Sequence, residues 1–155
     1  MPSVKIGLCL ICDSVREEAL NKLTLLGFLG VVSAPGLVSL PTADVRLQDP
    51  NLPLGELTFI FIGSASGSSG KTDLAYEIFD WSDKLVFGHS QTQEVKIGER
   101  STFVFNIRLL KFPNTGRYKI RMRVDGRPVY TGEFLISQSS RSEAGTSPAL
   151  PGQPD

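Results

Sequence analysis

Residues Ser101 to Ser137 alternate apolar and polar side chains with few interruptions, and few folds accept that pattern. Phe103, Phe105, Ile107 and Leu109 share one parity, while Thr102, Asn106 and Arg108 share the other. Further on, Tyr118, Ile120, Met122 and Val124 alternate with Arg117, Lys119, Arg121 and Arg123. Side chains of an extended chain repeat every two residues, so each segment turns its apolar set to one face and its polar set to the other. Three consecutive strands with one buried and one wet face are the mark of an antiparallel sandwich.

The rest of the chain reads the same way. Val4–Cys12, Leu23–Leu29, Ala43–Leu47, Leu57–Ile62, Asp73–Phe79, Leu85–Phe87 and Glu94–Ile97 have the apolar, β-branched or aromatic content of strands. Between them, Asp13–Lys22 is a charged connection with a short helical turn expected around Glu17–Leu20. Ser64–Gly70 reads as a flexible hairpin loop, and a polar loop holds His89. Asp125-Gly126 is the strongest hairpin signal. The sequence therefore predicts an all-β, immunoglobulin-like antiparallel β-sandwich of about seven to nine strands over residues 1–137. Residues 138–155 are Ser, Gly, Pro and Ala with little apolar mass, and a disordered tail is expected there.

Charge gives no global pull toward nucleic acid or membrane, because 16 Lys and Arg balance 16 Asp and Glu. Its distribution is uneven: residues 1–93 carry six basic and ten acidic side chains, and residues 94–137 carry nine and four. The apolar run Ile6–Ile11 is followed at once by Asp13, Arg16, Glu17 and Glu18, unlike a signal peptide. No run approaches the roughly 18 apolar residues of a membrane span. Two cysteines fit a reducing compartment, and a cytoplasmic location is the expectation.

Several motifs tempt a chemical reading. Ala65 to Thr72, ending Gly70-Lys71-Thr72, fits a relaxed phosphate-loop pattern after an apolar strand, and Gly70, Lys71 and Thr72 would then hold a nucleotide. Such a loop must open a helix, yet Asp73–Asp80 alternates at period two, and the acidic residue expected later is missing. Cys9 and Cys12 have redox spacing, but in a strand they point to opposite faces about 10 Å apart, beyond disulfide reach. Asp80 and Asp83 flank a turn without the oxygen array calcium needs. His89 has no nucleophile elbow near it. No catalytic residue, metal ligand or cofactor is expected.

What remains is the cationic row Arg117, Lys119, Arg121 and Arg123, with Arg108 on the preceding strand placed to extend it. Like charges about 6.6–7 Å apart repel unless compensated. Glu133 on the following strand is one candidate partner, and an acidic surface of another protein, or of a second copy, is another. Nucleic acid fits less well, because no aromatic residues interleave with the row. A protein-binding or scaffolding module working through this face is the leading expectation. A nucleotide enzyme using Lys71 and Thr72 is one alternative, and a sugar- or lipid-binding sandwich with its mouth around Trp81 and Phe87 is another.

Phe112-Pro113-Asn114-Thr115-Gly116-Arg117-Tyr118 resembles the tyrosine corner of immunoglobulin-like sandwiches, in which the phenol pins the preceding crossover. On that resemblance Gly116 and Tyr118, with Asp125 and Gly126, are structural. The stretch from Ile6 to Glu17, Lys22 to Phe28, the Phe-Pro…Gly-x-Tyr segment and Asp125-Gly126 together resemble a family of small bacterial β-sandwich proteins known only as a domain of unknown function. The likeness covers about residues 4–137 and implies no catalytic residues.

Overall fold

Two sheets face each other in the computed structural model, which describes residues 1–18, 22–32, 42–49 and 54–138. The expected helical turn at Glu17–Leu20 falls partly outside the described residues, and the expected disordered tail does so beyond Gln138. Among the described residues nine strands occur in chain order: β1 (Pro2–Glu18), β2 (Lys22–Val31), β3 (Asp44–Leu47), β4 (Leu54–Gly67), β5 (Gly70–Asp80), β6 (Leu85–Val95), β7 (Gly98–Leu110), β8 (Gly116–Val124) and β9 (Arg127–Gln138). One sheet has the order β2-β1-β4-β7 and the other β3-β9-β8-β5-β6. All described pairings are antiparallel except β3 on β9 and the isolated bridge Val31–Thr42. Among the described residues no helix is long and apolar enough to cross a membrane.

In chain order the strands change sheet five times, at β2–β3, β3–β4, β4–β5, β6–β7 and β7–β8. With β4 beside β7 in one sheet and β5, β8 and β9 in the other, the arrangement is that of an immunoglobulin-like sandwich. β6 joins beside β5 as the added strand does in the variable type.

This topology corrects three expectations. The three consecutive strands from Ser101 do not share a sheet, since β7 lies opposite β8 and β9. Period two reports which face of a strand is buried, not which sheet it joins. Likewise β4 and β5 are not a hairpin: β4 runs on to Gly67, and Ser68-Ser69 carries the chain across to the other sheet. Their apolar sets, Leu57, Phe59 and Phe61 against Leu74, Tyr76 and Ile78, meet across the core instead of side by side. His89, expected in a loop, sits within β6, whose register on β5 is continuous from Phe87 to Val95.

The start of the chain is also more extended than its charge suggests. β1 continues through Asp13 to Glu18 and pairs with β2 as a hairpin, so Asp13–Glu18 is strand. Its register against β4 shifts between Ile6 and Leu8, which reverses the parity of everything after Gly7. Val4 faces the core, and beyond the bulge Cys9 and Ile11 do so in place of Leu8 and Leu10. Gly63 makes this bulge possible, because a β-carbon there would overlap Lys5 O.

Aromatic rings fill the space between the sheets. Tyr76 stacks on Phe105 with centroids 4.3 Å apart, and Phe59 meets Phe134 edge-on at 5.5 Å. Such side chains supply the bulk of the apolar burial that holds two sheets face to face. At one end of this core Tyr118, buried, donates its hydroxyl proton to Asn114 O and accepts from Asn114 N–H at 3.2 Å. That pair pins the β7–β8 crossover. At the opposite end of β8, Asp125 (φ 49) and Gly126 (φ 80) form the two-residue turn to β9. Positive φ at both positions is the geometry that matches strand twist.

Candidate protein-binding face

β8 is the middle of the exposed face. Its apolar parity is buried, so Arg117, Lys119, Arg121 and Arg123 project from the outer side of the five-stranded sheet. The register sets their neighbours: Lys119 lies across from Phe79 on β5 and Glu133 on β9, and Arg121 lies across from Glu77.

The row is largely compensated from within the molecule. Arg121 Nη2 donates to Glu77 Oε2 at 2.9 Å, and its guanidinium carbon lies 4.7 Å above the centre of the Phe79 ring. Arg123 Nε is 2.9 Å from Glu77 Oε1, close enough for an ion pair but not aligned as a hydrogen bond. Lys119 Nζ donates to Asp83 Oδ1 at 2.9 Å. This hydrogen bond, with the Asp83 charge and the more distant Glu133, raises the Lys119 ammonium above its ordinary range. Arg117 is exposed and makes no ion pair among the described residues. Arg108 does not extend the row: it lies on β7 in the other sheet, across from Glu56.

Glu77 and Asp83 are the acids that complete the face. Glu77 stands on the polar parity of Asp73–Phe79, so its outward direction is readable from the sequence. Its pairing with β8 is not, since that requires the β5–β8 register.

Beyond Lys119 the face ends in the β5–β6 turn, Trp81-Ser82-Asp83-Lys84. Asp80 N–H donates to Lys84 O at 2.9 Å and Asp83 N–H to Asp80 O at 3.1 Å. Asp83 adopts φ 64, the left-handed position that closes a three-residue loop. The Asp80 carboxylate accepts from Ser82 Oγ (2.7 Å), Ser82 N–H (2.9 Å) and Lys84 N–H (2.9 Å). The Ser82 hydroxyl, followed by the Lys84 amide, holds this carboxyl below its usual range. All three bonds fall on Oδ1, so that oxygen is engaged by the turn itself. On this braced turn Trp81 is 78% exposed, with Leu85 exposed close to it in the chain. Phe87, the other wall of the expected ligand mouth, is half-buried and packs toward Phe105 at 6.0 Å.

The remaining sequence candidates are placed as follows. Gly70, Lys71 and Thr72 open β5 as extended chain, and no helix follows them. Thr72 is buried while Lys71 is exposed across from Glu94, so the two side chains cannot converge on one phosphate. Both cysteines are free and buried, and burial is the main reason each thiol stands above its ordinary range. Low nucleophilicity follows. The Asp125 turn is tied to β5, with Asp125 N–H donating to Asp73 O at 2.8 Å and Asp73 N–H to Asp125 Oδ1 at 3.0 Å.

No protein-family model and no curated protein matches this chain. Among solved structures it is similar to an immunoglobulin-like protein from Pseudomonas aeruginosa, with 16% identity over 86% of this chain and 96% of that one, at a TM-score of 0.41. It is also similar to a glycosyl hydrolase family 2 member from Bacteroides cellulosilyticus, with 15% identity, 56% of this chain covered and a TM-score of 0.42. A β-glucosidase from Listeria innocua, in complex with glucose, gives 16% identity, 64% of this chain and a TM-score of 0.41. The aligned regions are 13% and 15% of those two enzymes' chains.

Proposed function

We propose that this chain is a cytoplasmic, non-enzymatic module that binds an acidic surface of another protein through the Trp81 end of its five-stranded sheet. The observation that carries the reading is the exposure of Trp81 on a turn already fixed by the Asp80 carboxylate. An aromatic anchor held in place before binding loses little conformational freedom when a partner covers it. Tryptophan and arginine are the side chains on which contact energy most often concentrates. Arg117 supplies an uncompensated cation, and Lys119 a second that is shared with Asp83. Arg121 and Arg123 shape the face but are occupied by Glu77.

Affinity purification from the native host, comparing the wild-type chain with Trp81→Ala and Arg117→Glu, tests the proposal. Partners captured by the wild type should be lost from both variants. Retention of every partner by both would overturn it.

A second reading draws on the same indole. An exposed tryptophan can stack on a sugar ring, and titration with simple glycans in the absence of any protein would reveal such binding. The outward-facing cations beside Trp81 favour the protein partner.

A further inference from the structure

Among the described residues each sheet has two outer strands, and three of the four are guarded against pairing with another chain. β3 is four residues long and carries Asp44 and Arg46. β2 starts at Lys22 and is bent by positive φ at Gly27 and Gly30. β7 carries Glu99, Arg100 and Arg108. Short length, kinks and charges are the devices that keep a strand edge from acting as a template.

β6 is irregular only near its start, where its pairing with β5 skips Val86, and its register is continuous from Phe87 onward. From Leu85 to Gln93 it runs without a charge, a proline or a positive φ. Among the described residues β5 is its only hydrogen-bonded neighbour. Its outward parity, Gly88, Ser90 and Thr92, is small and polar, so nothing bulky stands in the way of a second strand. The uncharged window is also self-complementary. Its midpoint is His89, and it is bounded by Lys84 on one side and Glu94 on the other.

We infer that β6 pairs antiparallel with β6 of a second copy, in a register centred on His89, joining two five-stranded sheets into one. A two-fold axis through that point sets each residue opposite the one equally far from His89. His89 then meets its own copy, Leu85 meets Gln93, and Lys84 meets Glu94 at both ends. Both of these charges are exposed and in no ion pair among the described residues, although Glu94 also lies across from Lys71 on β5. A register shifted by one residue to centre on Ser90 would lose that match, setting Lys84 opposite Lys96 and Glu94 opposite Val86. This pairing is independent of the Trp81 surface. The dimer would present that surface twice and so strengthen binding to a multivalent partner.

Sedimentation velocity of the full chain over a wide concentration range should show a monomer–dimer equilibrium, and His89→Lys should raise its dissociation constant about tenfold or more. Cysteine cross-linking with a short bismaleimide reads the register, because Cys9 and Cys12 are buried and free. His89→Cys should be captured as a covalent dimer. Gln93→Cys should not, since four residues from the axis on each strand separate its two copies by about 26 Å. Circular dichroism confirms that each variant is folded, and Ser90→Lys replaces His89→Lys if the latter is not. A wild-type chain that stays monomeric at every concentration, equal capture of both cysteine variants, or a dimer indifferent to the lysine would each overturn the inference.

Discussion

Arg121 donates to Glu77 across the β5–β8 register at 2.9 Å, and this contact turns a row of like charges into a stable sheet face. Arg123 approaches the other oxygen of the same carboxylate. Glu77 therefore balances two cations at once. Glu77→Gln leaves both half-exposed and should lower stability by about 1–2 kcal/mol, a range held down by the water that reaches Arg123. Urea denaturation of the two proteins measures the difference.

The tyrosine corner offers a cleaner deletion. Tyr118→Phe keeps the ring among Phe112 and Phe134 but removes the hydroxyl from the Asn114 backbone. The expected cost is about 1 kcal/mol with the fold retained. An unchanged denaturation midpoint would mean that the crossover is held by packing alone.

Backbone geometry predicts a third effect. Gly126 sits at φ 80, and no atom lies within 4 Å of the position a β-carbon would take, so a larger residue meets no clash, only an unfavourable backbone. Gly126→Val should cost about 1–2 kcal/mol, and Gly116→Val, also at positive φ, gives an independent comparison in the same denaturation assay.

Asp80 links the Trp81 turn to pH. Its native carboxyl is held below the usual range, so its ionised form contributes stability above the ordinary carboxylate value, about 3.9. That contribution is lost as pH falls through the lowered native value. Asp80→Asn should therefore be less stable than wild type at neutral pH, and the gap should narrow toward about pH 3. Denaturation midpoints at the two pH values decide it.

Much of this architecture is legible in the alternation of side chains. β5, β8 and β9 each show their inward parity, and Asp125-Gly126 marks its own turn. β4, by contrast, is apolar on both parities and is buried on both, at Phe59 and Phe61 and at Thr58 and Ile60. What could not be read has physical causes. β6 is an edge strand whose backbone pairs with β5, so Gly88 to Gln93 need no apolar alternation to be extended. Gly7 carries no sign that the parity of β1 reverses there. Arg108 shares the polar parity of β7, but its sheet depends on a crossover that local pattern does not encode. The candidate face was half readable for the same reason: β8 displays its cations openly, whereas Glu77 and Asp83 reach them only through tertiary register. Trp81 read as part of a turn, and its exposure follows from the Asp80 bracing, which closes the loop tightly and leaves the indole outside.

Trp81 is the single tryptophan of the chain, so intrinsic fluorescence reports the proposed contact surface without a label. The emission maximum, measured with and without the captured protein partner, is the most direct test. A shift to shorter wavelength that saturates with partner is the predicted result. An emission maximum unmoved at saturating partner would place the contact elsewhere and contradict the account.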